Sequence, residues 1–174
     1  LSALHALVAA VDYAYPWDGL IARFKFRHEP GLAAPLASLM LRQPQVAGLL
    51  ASGDLMVPVP VGVSRLAERG YNQAWELVKA LRQQMDRPAT PATAETLVRI
   101  GNAPDQHHLP RAQRLTNMRG RFVVHPRHAP RLQGLHVLLV DDICTTGATL
   151  QSAARALRQA GARQVSALVL ARTM

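Results

Sequence analysis

One stretch constrains the fold of this chain more than any other. His136–Val140 is a run of strand length, and two carboxylates, Asp141 and Asp142, follow it at once. Then come Ile143, Cys144, Thr145, Thr146, Gly147, Ala148 and Thr149, small and hydroxyl residues for the most part. From there Leu150, Ala153, Ala154, Leu157 and Ala160 recur at helical spacing, with Arg155, Arg158 and Gln159 left for solvent and Gly161 as the stop. Val165–Leu170 is a second apolar run. Two strands joined by a helical crossover run parallel, and the crossover is right-handed. The chain must therefore build a βαβ unit, which points to an α/β domain with a mostly parallel sheet flanked by helices.

The rest of the chain fits one such domain over 1–174, with residues 1–50 as a small, mostly helical N-terminal part and 51–174 as the core. Pro16-Trp17-Asp18 opens a helix with Leu20, Ile21 and Phe24 on its apolar face, and Leu32, Leu36, Leu39 and Met40 line the next. Leu55–Val59 reads as a buried strand ended by prolines. Asn72 is an N-cap for a helix carrying Ala74, Leu77, Val78, Leu81 and Met85. Leu97–Ile100 is expected in the sheet, and Arg121–Val124 is a further strand. Residues 101–119 are polar and basic with few core residues, which predicts mostly a mobile loop running into a short helix.

Hydrophobic residues make up 49% of the chain, so it buries a core, but no apolar run approaches the roughly 20 residues of a membrane span. With no signal-peptide pattern at the start, a cytoplasmic location and no membrane partner are expected. A single cysteine, Cys144, rules out an intramolecular disulfide or a multi-cysteine metal site within these residues. The formal charge of +9 is carried almost wholly by arginine, and it favours anionic partners.

In open parallel sheets ligands bind beyond the carboxyl ends of the strands, which is where Asp141–Thr149 falls. Backbone N–H groups in a tight turn and a helix start make an anion site, and Thr145, Thr146 and Thr149 add hydroxyl donors. Carboxylates repel phosphate. Asp141 and Asp142 should therefore face a group that donates, such as a ribose diol, or act through a bound Mg²⁺. Phosphate at the helix end and diol at the strand end describe a ribose 5-phosphate. The sequences G-x-x-x-x-G-K-[ST] and G-x-G-x-x-G are both missing, so nucleotide loops of those kinds are excluded. The plainer alternative is an ordinary capped strand-to-helix turn, which has no use for two adjacent acids.

The run Val137–Thr149 resembles the 5-phosphoribosyl-1-pyrophosphate (PRPP) motif of type I phosphoribosyltransferases. Val57-Pro58-Val59-Pro60, Arg65 and Arg69-Gly70-Tyr71-Asn72-Gln73 resemble the signature of the ComF/GntX-like family of that fold. Leu20–Arg27, Gln106–Leu109, Arg114 and Asn117–Phe122 extend the resemblance over most of the chain. It implies a type I phosphoribosyltransferase-like fold with PRPP held at Asp141–Thr149. It also implies a pyrophosphate loop over 60–70 with Arg65, Arg69 and Gly70, the alternative for the arginines being a solvated loop. The mobile hood would then be 101–119, closing with Arg111, Arg114 and Arg119. His107 and His108 are expected there as exposed loop residues. The family's cysteine-rich, zinc-ribbon-like segment does not occur within residues 1–174, so no zinc site is expected from them.

The resemblance implies an enzyme that transfers a phosphoribosyl group to an unidentified nitrogen acceptor and releases pyrophosphate, with Mg²⁺ as cofactor and Asp141, Asp142, Arg65 and Arg69 as its catalytic groups. The alternative is a non-catalytic PRPP or ribose-phosphate binder in bacterial DNA uptake, acting through a DNA translocase, the uptake machinery or single-stranded DNA. Aromatics are only 5% and do not interleave with the arginines, so a base-stacking platform is not evident. A homodimer is a further partner to test.

Overall fold

The computed structural model describes residues 2–86, 90–100 and 122–173. Its elements are β1 (Leu7–Asp12), α1 (Trp17–Phe26), α2 (Ala33–Leu41), α3 (Pro44–Ser52), β2 (Leu55–Pro58), α4 (Val63–Arg69), α5 (Gln73–Gln83), β3 (Leu97–Arg99), β4 (Phe122–Val124), β5 (His136–Cys144), α6 (Ala148–Gln159) and β6 (Gln164–Arg172).

The βαβ unit forms as its pattern dictates. β5 and β6 pair in parallel from His136↔Gln164 to Cys144↔Arg172, with α6 between them. β1 adds to the far side of β6 and β2 to the far side of β5, giving a four-stranded, all-parallel sheet in the order β1-β6-β5-β2. Central strands of such a sheet are covered on both faces, so they read as continuous apolar runs. Alternate residues of β5 divide between two cores. Leu138 and Val140 pack with Ile21, Phe24, Leu36, Met40, Leu77 and Leu81 of the helices α1, α2 and α5. Val137 and Leu139 pack with Leu150, Ala153 and Leu157 of α6. Pro58 ends β2, an edge strand whose far side carries a single bridge, Met56 to Ala92, among the described residues, and such a position tolerates a residue without an N–H. Asn72 caps α5 as its position predicts, accepting a hydrogen bond from the Ala74 N–H at 3.0 Å.

Three expectations need correction. Residues 1–50 are not only helical: Leu7–Asp12 is a strand. Its short apolar run has too few residues for a helix, and β6 offers it an edge to pair with. Leu97–Ile100 is not in the parallel sheet. Leu97–Arg99 instead pairs antiparallel with Phe122–Val124 in a separate two-stranded ribbon. Leu97 and Phe122 are buried beneath it, while Val98 and Val123 on its other face are exposed. That one-sided burial suits an antiparallel ribbon and not a doubly covered strand. Finally, residues 60–70 are not a simple loop, since Val63–Arg69 forms α4. Among the described residues no helix is long and apolar enough to cross a membrane.

Gly53 joins α3 to β2 under the side chain of Leu138. A Cβ there would lie 2.3 Å from Leu138 Cδ1, and Leu138 is enclosed by the core. Gly53→Ala is expected to destabilise by about 1–3 kcal/mol through overpacking. Each kcal/mol lowers Tm by roughly 2–4 °C for a chain of this size. A thermal melt indistinguishable from wild type would show that Leu138 yields freely.

Candidate functional site

β2 and β5 are parallel neighbours, so their carboxyl ends open on the same edge of the sheet. A cavity of about 470 Å³ lies there. β5 and the turn after it line it with Asp141, Asp142, Ile143, Thr145 and Thr149, and α4 lines it with Arg65 and Arg69. The two segments singled out in the sequence are more than 70 residues apart along the chain, and the sheet brings them to one cavity.

The acid pair is more deeply set than its place at a strand end suggests. β5 continues through both aspartates to Cys144, so they belong to the sheet. Asp142 is only 8% exposed. Following Leu138 and Val140, it turns to the face that carries α1, where Lys25 Nζ lies 3.1 Å from its Oδ2. Each carboxylate also accepts from the next backbone amide: Asp142 N–H donates to Asp141 Oδ1 at 2.9 Å, and Ile143 N–H to Asp142 Oδ1 at 2.7 Å. Burial of the Asp141 carboxyl pushes its pKa well above the usual range, and the charge of Asp142 pushes it the same way. The Asp142 amide and Lys25 oppose this without cancelling it.

The arginines differ from each other. Arg65 is exposed on α4. Arg69 is 9% exposed, with its guanidinium 5.0 Å from the centre of the Phe26 ring. Gly70, at φ 81°, ends α4 in the left-handed conformation that glycine adopts without strain. It does not line the cavity, but it turns the chain so that α5 starts there. Gly147, at φ 76°, makes the corresponding turn into α6. Thr145 and Thr149 line the cavity, whereas Thr146, Gly147 and Ala148 shape the turn without contributing to the wall. Cys144 faces away, buried among the residues under α6, and that burial pushes its thiol pKa up. Arg111, Arg114, Arg119, His107 and His108 lie outside the described residues.

Sequence reasoning missed Tyr13, Lys25, Asn72, Gln73 and Arg99 as cavity residues. Lys25 left a signal: a cation directly after Phe24, beside the buried face of α1. Tyr13 left none, because β1 was not foreseen. Among the described residues no cluster of three or more His, Cys, Asp or Glu is placed to hold a metal ion. Among the described residues, the acids that line the cavity are Asp141 and Asp142.

Residues 78–174 match the model of the phosphoribosyl transferase domain. The match covers more than half of the chain, and the chain belongs to that family. The DNA utilization protein YhgH of Salmonella typhi is 33% identical over 171 residues, which is 97% of this chain and 72% of the relative. Competence protein F of Haemophilus influenzae is 31% identical over 171 residues, 95% of this chain and 72% of the relative. Competence protein ComFC of Bacillus subtilis is 34% identical over 120 residues, 68% of this chain and 45% of the relative. Within the phosphoribosyltransferase fold, this is a ComF-like chain. Among solved structures, a glutamine PRPP amidotransferase from B. subtilis is similar at a TM-score of 0.48 and 18% identity. That similarity covers 82% of this chain and 26% of the other.

Proposed function

We propose that the cavity binds PRPP or ribose 5-phosphate together with Mg²⁺, and that the chain transfers the phosphoribosyl group of PRPP to a nitrogen nucleophile. The carrying observation is that one cavity holds the acid pair, Thr145 and Thr149 of the helix turn, and the two arginines of α4. In this reading the 5′-phosphate sits at the turn into α6, where backbone amides and threonine hydroxyls donate to it. The ribose diol donates to Asp141 and Asp142. Arg65 and Arg69 receive the pyrophosphate. A two-carboxylate site fits Mg²⁺, which is commonly held by one or two carboxylates together with substrate phosphates and water. Asp141 and Asp142 are the residues that would hold the ion, and the chemistry it supplies when bound is neutralisation of charge on the leaving group.

In the transfer, the nitrogen forms a bond to C1 as the C1–O bond to pyrophosphate breaks, with inversion. The pyrophosphate leaves with the bonding pair, and the proton lost from the nitrogen passes to the departing pyrophosphate or to solvent water. Arg65 and Arg69 stabilise the departing charge, and the walls of the cavity hold sugar and leaving group in line.

Isothermal titration with PRPP and Mg²⁺ tests the binding, followed by a screen of nucleobases and amines for pyrophosphate release. Saturable binding of one PRPP per chain is expected, with the phosphate at Thr145–Thr149 in a complex. Phosphate bound elsewhere, with this turn empty at saturation, would overturn the assignment. The names of the relatives, DNA utilization and competence proteins, favour a second reading. In it the site is a PRPP sensor and the chain works through single-stranded DNA or a DNA-uptake partner. Binding of PRPP with no acceptor yielding pyrophosphate would select it.

A further inference from the structure

The five residues Arg69-Gly70-Tyr71-Asn72-Gln73 carry the chain from α4 into α5, and four of them have an evident internal role. Arg69 stacks on Phe26, and Gly70 ends α4. The Tyr71 hydroxyl donates to the carbonyl of Phe24, tying α5 to α1. Asn72 caps α5 and also donates from Nδ2 to the Val59 carbonyl at 3.1 Å, fixing the helix to the end of β2.

Gln73 has no such partner. It is 1% exposed, and neither Nε2 nor Oε1 of its amide finds a hydrogen bond among the described residues. It nevertheless lines the cavity. A buried amide left unpaired on both atoms loses its hydration and gains nothing in return, so native proteins rarely keep one without a purpose. The side chain stands at the first position of α5, a helix that packs on the face of the sheet to which Asp142 and Lys25 turn.

The chemistry of the amide decides what it fits. It offers donors at Nε2 and an acceptor at Oε1. Phosphate and pyrophosphate near neutral pH are chiefly acceptors, and Arg65 and Arg69 already line the cavity to meet them. Against an anion, Oε1 would stay unpaired. A sugar hydroxyl both donates and accepts, so it can satisfy either atom of the amide while its neighbour on the ring meets the carboxylates. We propose that Gln73 recognises a hydroxyl of the ribose and, together with the acid pair, lets the site tell a ribose phosphate from bare phosphate or pyrophosphate. The inference rests on the ribose-phosphate reading given above.

Gln73→Met keeps the length of the side chain and removes both polar atoms. Its affinity for ribose 5-phosphate is expected to fall about tenfold, roughly 1.4 kcal/mol, with pyrophosphate affinity changed less than twofold. The ligand-free variant should melt no lower than wild type, because an unpaired buried amide has been removed. Gln73→Asn, which withdraws the amide by one methylene, should lose ribose 5-phosphate affinity in the same way and guards against a folding defect in the first variant. Equal weakening of both ligands would assign Gln73 to the anion and overturn the inference. So would wild-type affinity for ribose 5-phosphate in both variants. If the wild-type chain itself fails to bind ribose 5-phosphate while binding pyrophosphate, the ribose-phosphate reading fails first and this one with it.

Discussion

Replacing Arg65 and Arg69 together by alanine is expected to lower PRPP affinity at least tenfold while leaving ribose 5-phosphate affinity nearly unchanged. The reason is electrostatic. The turn into α6 can hold a 5′-phosphate with backbone amides and the hydroxyls of Thr145 and Thr149, but pyrophosphate carries more charge and needs cations. Of the cations lining the cavity, Lys25 is already engaged with Asp142 at 3.1 Å. Arg99 comes to the cavity from β3, with its guanidinium 5.7 Å from the centre of the Phe122 ring, and α4 contributes Arg65 and Arg69 together. Charge-assisted hydrogen bonds are worth roughly 1.5–3 kcal/mol each, and about 1.4 kcal/mol is a decade of affinity. The two positions will not behave alike. Arg65 is exposed, so Arg65→Ala should leave Tm unaltered and report on the ligand alone. Arg69 is packed over Phe26, so Arg69→Ala should also lower Tm by loosening that stack. Titration of both ligands against each variant decides the matter. Equal loss for PRPP and ribose 5-phosphate would mean that the arginines shape the cavity and do not meet pyrophosphate.

The acid pair should show the reverse pattern. Asp141→Asn with Asp142→Asn is expected to weaken PRPP and ribose 5-phosphate alike, by about 1–3 kcal/mol for each lost diol contact. Unchanged affinity in the double variant would show that the acids serve something other than the sugar. The single variants should separate in stability. An aspartate in the unfolded chain titrates near 3.9, whereas the folded Asp141 carboxyl is raised well above this by burial and by Asp142. Between those two values the unfolded chain has released a proton that the folded chain keeps. Stability from this group is thus present at low pH and is lost as pH rises through the folded pKa. Asp141→Asn should remove that slope and melt higher than wild type at neutral pH in the absence of ligand. Asp142→Asn leaves the Lys25 ammonium, its side chain 18% exposed, without its carboxylate and should be less stable by about 1–3 kcal/mol, with a lower Tm. Melts from pH 4 to pH 8 test both signs. A parallel pH dependence in wild type and Asp141→Asn would show that Asp141 carries an ordinary carboxyl.

Local pattern was enough for the βαβ unit from His136 to Leu170, because the periods of strand and helix, the stop at Gly161 and the turn at Gly147 are each encoded within a few residues. The same holds for the Asn72 cap and the buried faces of α1, α2 and α5. The acid pair, the threonines and the two arginines were legible as chemistry from residue type and spacing. What the sequence could not decide was partnership across the chain. Leu7–Asp12 becomes a strand because β6 presents an open edge, and Leu97–Arg99 leaves the main sheet because Phe122–Val124 pairs with it from the other direction. Neither partner is local. For the same reason, the ion pair of Lys25 with Asp142 and the unpaired amide of Gln73 emerge only when α1 and α5 close over the end of β5. The order of residue types along one strand and turn determined what kind of ligand this chain can meet. The packing of distant helices onto that strand decided which carboxylate meets Lys25, which arginine is stacked on Phe26, and which side chain is left for the ligand.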